Sequence, residues 1–235
     1  MGPVRNFISA VFLVGLGLLA GNGSLLAQTP PSADEIANFS GLHAAATTGD
    51  IAAIRRLVAG GADINARQGN GRTPVMIAAH RRDLATARAL IAAKADLNLL
   101  DDERYDVITI AGVANDPAMV ELAIKSGADP GLTTSRYDGT ALIASAHLGH
   151  VEVVRLLIKA KAPLDHVNNL TWTALIEAIV LGDGGANHQA IVRDLIAAGA
   201  NLNIADRQGV TPLSLARRHG YTAMVEMLSA AGAKP

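Results

Sequence analysis

A short motif recurs six times along this chain, and this repetition restricts the fold more than any other feature of the sequence. When the copies are aligned on their first polar residue, the successive offsets are 33, 33, 34, 33 and 38 residues. A period of this length is typical of solenoids, in which a repeat buries its apolar face only by stacking on its neighbours. The aligned residue is always Ser, Thr or Asp: Ser40, Thr73, Asp106, Thr140, Thr173 and Thr211.

The columns that follow this residue predict a helix in each copy. Ser, Thr and Asp are favoured N-caps because their side-chain oxygen accepts a free backbone N–H. Nine residues later stands Gly or Asn, which end helices in the left-handed conformation, with Arg82 as the exception. A second aliphatic stripe, such as Val154, Leu157 and Ile158, predicts another helix per copy and an all-α fold. Five residues after the cap the side chain is always small, which lets helices approach closely: Ala45, Ala78, Ala111, Ser145, Ala178 and Ala216.

The openings, such as SGLHAAA from Ser40, and the ends, such as GADIN from Gly61, resemble ankyrin repeats from Ser40 to Ala233. The resemblance implies an ankyrin-repeat solenoid of about six stacked helix–turn–helix repeats, with a projecting loop, the finger, before each repeat. In ankyrin proteins the fingers and the first helices line a concave face that usually binds protein. We therefore assign residues 40–235 to one repeat domain, with repeats starting near 40, 73, 106, 140, 173 and 211. In the last copy, charged residues favour a capping role: Arg217, Arg218 and His219.

The N-terminus has the pattern of a secretory signal peptide. Arg5 precedes an apolar run, Phe7 to Ala20, and small residues follow. We predict a signal peptide over residues 1–27, cleaved after Ala27, and a polar leader over residues 28–39. The alternative is an uncleaved membrane anchor, although the run is shorter than the roughly 20 residues that span a bilayer. Either interpretation predicts export, to the periplasm of a bacterium or out of the cell.

The sequence offers little for catalysis. It has no cysteine, and its formal net charge is −1, which gives no general attraction to nucleic acid. It contains neither GxSxG nor HExxH. The spacing of His147 and His150 permits a shared metal, but no third ligand accompanies them. We predict no enzymatic activity, no cofactor and no metal. A five-residue insertion near residues 182–189 predicts a longer turn in the fifth repeat, and His188 with Asp183 would have to converge there to bind a small ligand.

Aromatic and charged residues of the fingers are the predicted protein-binding residues. Tyr, Trp and Arg are enriched at binding hot spots, and several stand directly before the aligned cap or close to it. The alternative is that finger aromatics pack on the neighbouring finger. Charge is also uneven, with eight Lys/Arg against four Asp/Glu from Ser40 to Leu99 and three against eight from Leu100 to Gly139. The candidates are Arg72, Asp101, Asp102, Glu103, Tyr105, Tyr137 and Trp172.

Together these features predict an exported, non-catalytic, monomeric module that binds a protein partner through its concave face and fingers. Two alternatives remain. The first is a secreted effector that acts on host proteins, and the second is a small-ligand binder that uses the insertion.

Overall fold

A computed structural model describes residues 29–235, so the predicted signal segment 1–27 lies outside the described residues. Within this range the structure has 13 helices and no strand, apart from two isolated β-bridges. One short helix precedes six helix pairs, which confirms the predicted all-α repeat fold. The helices are α1 (Ala33–Asn38), α2 (Gly41–Thr48), α3 (Ile51–Ala59), α4 (Pro74–His80), α5 (Leu84–Ala92), α6 (Val107–Val113), α7 (Pro117–Lys125), α8 (Ala141–His147), α9 (Val151–Lys159), α10 (Ala174–Val180), α11 (Ala186–Ala197), α12 (Pro212–His219) and α13 (Thr222–Ala230).

The pairs stack in two layers. The first helices, α2, α4, α6, α8, α10 and α12, each pack on the next first helix, and the second helices do the same. The core runs between the layers and is continuous through the stack. The small-residue column lies in this core: Ala45, Ala78, Ala111, Ser145, Ala178 and Ala216 are all buried.

The predicted N-cap residues stand directly before the first helix of each repeat. The Asp106 carboxylate accepts the Thr109 backbone N–H at 2.8 Å, and the hydroxyls of Thr140, Thr173 and Thr211 accept equivalent bonds. Ser40 also precedes its helix, but its hydroxyl accepts a bond from the Gln68 amide instead.

The helix ends follow the predicted conformation with one correction. Arg82 has a φ of 55° and is left-handed like the glycines of its column, although its residue type is exceptional. Gly182 is not left-handed, and Gly184, with a φ of 69°, takes that role in the fifth repeat. The reason is the insertion, which displaces the turn along the chain.

The inserted residues lengthen both the turn and the helix after it. Helix α11 has 12 residues, whereas α9 has nine. The turn between α10 and α11 is correspondingly longer than the turn between α8 and α9. The prediction from the sequence was a longer turn only, so the longer helix is a correction.

A ladder of hydrogen bonds joins the loops that follow the second helices. In each rung a side-chain oxygen accepts a backbone N–H of the next repeat at 2.8–2.9 Å, at Asn65–Asp96, Asn98–Asp129, Asp165–Asn201 and Asn203–Lys234. The rung between Gly131 and Pro163 is absent because glycine has no side-chain acceptor and proline has no N–H. The donor and the acceptor are therefore both missing from the same rung.

The described part of the leader, residues 29–39, is folded onto the first two repeats. It contains α1, which is capped by Ser32 and Glu35. Glu35 and the Thr29 carbonyl both bind the Arg72 guanidinium, at 2.9 and 2.6 Å. The leader is thus an N-terminal cover for the stack.

Candidate functional site

From the second repeat onward, the residue before the aligned cap closes its finger. Backbone bonds of 3.0 Å join Asp101 to Tyr105, Asn168 to Trp172, and Asp206 to Val210. The side chain of the first residue in each pair also accepts the backbone N–H of the last. The column before the cap therefore lies at the base of the finger and not at its tip.

This geometry corrects three of the predicted binding residues. Arg72 is 0% exposed, Asp101 3% and Tyr105 5%. Burial also raises the pKa of Tyr105 to about 12. Because these side chains close the fingers from inside, a partner cannot contact them, and we exclude them from the candidate surface.

Arg72 has an internal role that explains its burial. Its Nη1 binds Glu35 of the leader at 2.9 Å, and its Nε lies 3.9 Å from Asp101 of the next finger. Its carbonyl is 2.8 Å from Nε2 of the buried His43. Arg72 thus joins the leader, the first repeat and two fingers, which is a structural role.

The other four predicted residues lie at or near the surface. Tyr137 is 49% exposed, Asp102 is exposed, and Glu103 and Trp172 are half-buried. Trp172 packs partly on the hydrophobic core. These four residues remain the candidate finger contacts.

Adjacent finger tips are bonded into a row. The Asp102 N–H donates to the Asn70 carbonyl, the Ser135 N–H to Arg104, and the Asn169 N–H to Tyr137, at 2.8–2.9 Å. The tips therefore form one continuous, preorganised surface. Preorganisation lowers the entropic cost of binding.

Exposed apolar side chains concentrate in one part of this surface. Among the described residues, five large hydrophobic side chains are exposed, and three of them lie in the fourth and fifth fingers: Tyr137, Val167 and Leu170. The other two lie elsewhere, Ile36 on α1 and Leu181 directly after α10. Clustered exposed hydrophobic residues are typical of interaction sites. We define the fourth–fifth surface as Tyr137, Val167 and Leu170, with Trp172.

Several of the acidic residues counted between Leu100 and Gly139 are not at the surface. Asp101, Asp106 and Asp116 are buried, and the last two cap helices. Burial raises the pKa of Asp106 to about 6. Local capping therefore accounts for part of the charge asymmetry.

The insertion brings His188 and Asp183 together, as a ligand site would require. His188 Nδ1 lies 2.8 Å from Asp183 Oδ1, and its Nε2 lies 2.9 Å from the His147 carbonyl. Both ring nitrogens are thus bonded within the chain, and His188 is buried. The pair fastens the insertion to the fourth repeat and leaves no free nitrogen for a ligand.

The spacing of His147 and His150 had allowed a shared metal ion, but one ring nitrogen of His150 is bonded within the chain. His150 Nδ1 lies 2.8 Å from the Gly112 carbonyl of the preceding repeat. In the range 29–235, no group of three or more His, Cys, Asp or Glu side chains is placed to hold a metal ion.

Sequence reasoning missed Glu177, a buried acid of α10 that contacts the base of the fifth finger through Asn168. Glu177 is only 4% exposed, and burial raises its pKa to about 7. Its signal was present in the repeat alignment, since the fourth residue after the cap is apolar in every other copy: Ala44, Ile77, Ile110, Ala144 and Leu215.

Comparison with known proteins settles the family. A family model described as ankyrin repeats (3 copies) matches residues 24–101, 42–133 and 108–206. The chain belongs to the ankyrin-repeat family. YahD of Escherichia coli (strain K12), described as an ankyrin repeat protein, is 35% identical over 190 residues, which cover 80% of this chain and 94% of YahD.

Solved structures agree with this ankyrin-repeat assignment. The crystal structure of an ankyrin repeat domain from Acinetobacter baumannii AYE is 44% identical, with a TM-score of 0.78, and the match covers 82% of this chain and 98% of that one. A chain in the complex of the predatory endopeptidase Bd0816 from Bdellovibrio bacteriovorus with immunity protein Bd3460 is 26% identical, with a TM-score of 0.67. That match covers 82% of this chain and 98% of the other. Ankyrin repeats are protein–protein interaction modules. None of the helices in residues 29–235 has the length and apolarity needed to span a membrane.

Proposed function

We propose that this ankyrin-repeat protein is an exported, non-catalytic module that binds a protein partner through the fourth–fifth surface. The export and the place of binding are the specific parts of the proposal. Its general class follows from the family, whose repeats mediate protein–protein interactions.

The concentration of exposed apolar side chains at fingers four and five carries the proposal. Tyr137 and Leu170 lie in neighbouring fingers that are bonded through the Asn169 N–H and the Tyr137 carbonyl at 2.9 Å. Aromatic residues are enriched in protein interfaces, and removing exposed apolar surface from water favours association. The protein complex that contains the Bdellovibrio match is consistent with such a role for the fold.

Export is tested by expressing the full chain in a Gram-negative host, separating its compartments and determining the N-terminal residue. We expect a periplasmic chain that begins at Gln28. A charge in the apolar run, Leu13→Arg, should keep the chain in the cytoplasm. A full-length cytoplasmic wild type would refute export, and recovery from the medium would favour the effector alternative.

Binding is tested by crosslinking and affinity capture from the compartment where the chain is found. The Tyr137→Ser/Leu170→Ser variant should lose a partner that the wild type retains. Ile36→Ser is the matched control, because it removes a hydrophobic side chain of similar exposure (42%, against 49% for Tyr137) from the leader. Equal capture by wild type and double variant would refute the proposed surface.

A further inference from the structure

Glu177 is an acid in a buried apolar column. Its side chain is 6% exposed, and it lies on α10 among fully buried residues such as Ile176 and Ala178. Removing a carboxylate from water costs several kcal/mol unless other groups compensate it. A residue that opposes local packing in this way requires an explanation beyond the fold.

The surroundings of Glu177 satisfy only one of its two oxygens. Oε1 accepts a bond from Asn168 Nδ2 at 3.0 Å. Oε2 is buried and has no hydrogen-bond partner within residues 29–235. Because buried polar atoms are almost always bonded, this oxygen is an unfilled acceptor.

The base of the fifth finger fixes the satisfied oxygen. Asn168 Oδ1 accepts the backbone N–H groups of Leu170 and Trp172, at 3.0 and 2.9 Å. These bonds orient the Asn168 amide so that its Nδ2 points to Glu177. The finger therefore holds the carboxylate in place through Oε1, while Oε2 stays without a partner.

His147 lies beside the free oxygen without satisfying it. Its Nδ1 is 3.6 Å from Oε2, which is beyond hydrogen-bond distance. Burial lowers the pKa of His147, which disfavours the charged form of the ring. Its side chain is 40% exposed, and its backbone carbonyl is held by His188. The imidazole is thus a partly exposed cover next to a buried carboxylate.

We propose that Glu177 anchors a lysine or arginine side chain of the protein partner, inserted between the fifth finger and α8 as the His147 ring moves aside. The inference rests on the proposed binding function and adds the chemistry of the residue that is recognised. An ammonium or guanidinium donor would bond Oε2, and a charge-assisted bond to an oriented carboxylate is among the stronger hydrogen bonds in proteins. Leu170 and Trp172, whose backbone N–H groups bond Asn168, would flank this contact and exclude water from it.

The test uses a displayed library of random heptapeptides selected against the purified chain, with the affinity of the enriched peptides measured by the fluorescence of Trp172, the single tryptophan. We expect enriched peptides to share one Lys or Arg. Glu177→Gln should weaken their binding by about 30-fold or more, the loss expected when one partner of a buried charged pair is removed. The peptides will also show whether lysine or arginine is preferred.

Controls separate recognition from folding. Glu177→Gln keeps the side-chain oxygen that Asn168 bonds, and measuring its circular dichroism and urea midpoint tests whether it is folded. Glu152→Gln makes the same change at a glutamate whose side chain is 65% exposed on α9 and should bind like the wild type. Peptides without a common basic residue, no enrichment, or equal binding by Glu177→Gln would overturn the inference. If Tyr137→Ser/Leu170→Ser loses binding while Glu177→Gln retains it, the proposed surface stands and only the anchor fails.

Discussion

Neutralising Glu177 should change how the stability of this protein depends on pH. Burial raises the pKa of this carboxyl group from 4.5 to about 7, so the folded chain holds a proton that the unfolded chain releases. The resulting stabilisation is fully present below pH 4.5 and is lost as the pH rises through about 7. The difference between the two pKa values corresponds to about 3 kcal/mol, most of which is lost between pH 5 and pH 8.

The Glu177→Gln variant isolates this contribution. Glutamine cannot ionise but can still accept the bond from Asn168. We therefore expect the free energy of unfolding of the wild type, minus that of the variant, to fall by about 2–3 kcal/mol from pH 5 to pH 8. Other shifted groups, such as Asp106 and His80, are present in both proteins and cancel in the difference.

The assay is urea unfolding of both proteins at several pH values between 5 and 8. Since repeat proteins can unfold in parts, hydrogen exchange of the α10 amides should be followed under the same conditions. Glu152→Gln, at the exposed site, should show no such trend. A difference between wild type and Glu177→Gln that stays constant within about 0.5 kcal/mol, the usual effect of a surface substitution, would refute the argument from burial.

Three further predictions concern stability. Gly131→Asn with Pro163→Asp should restore the absent rung of the ladder and stabilise the chain by about 1 kcal/mol beyond the sum of the single variants, and additive effects in urea unfolding would contradict this. Arg72→Met should release the leader and destabilise the chain by about 3 kcal/mol, because buried Asp101 is left uncompensated; unchanged hydrogen exchange in the leader would be the opposing result. Gly184→Ala should destabilise more than Gly209→Ala, since both have positive φ but only Gly184 packs against an aromatic ring, and equal thermal midpoints would contradict the packing argument.

The burial of the predicted binding residues could not be inferred from the sequence. The column before the cap holds Arg72, Tyr105 and Trp172, and their types suggested an exposed interface. The structure buries the first two because this column closes the finger. Glu177, by contrast, could have been found from its repeat column alone, but its free oxygen and its distance from His147 could not.

The sequence by itself determined the helix pairs, their register and most of their caps. These features depend on contacts within a few residues, such as the bond from the Thr109 N–H to Asp106, so a short pattern repeated six times is sufficient to specify them. Only the tertiary structure decided which polar groups are enclosed. Arg72 meets Glu35 and Thr29 across 37 and 43 residues, and Glu177 meets His147 across neighbouring repeats. The burial of these charged groups depends on how the repeats stack, and composition and spacing do not encode that geometry.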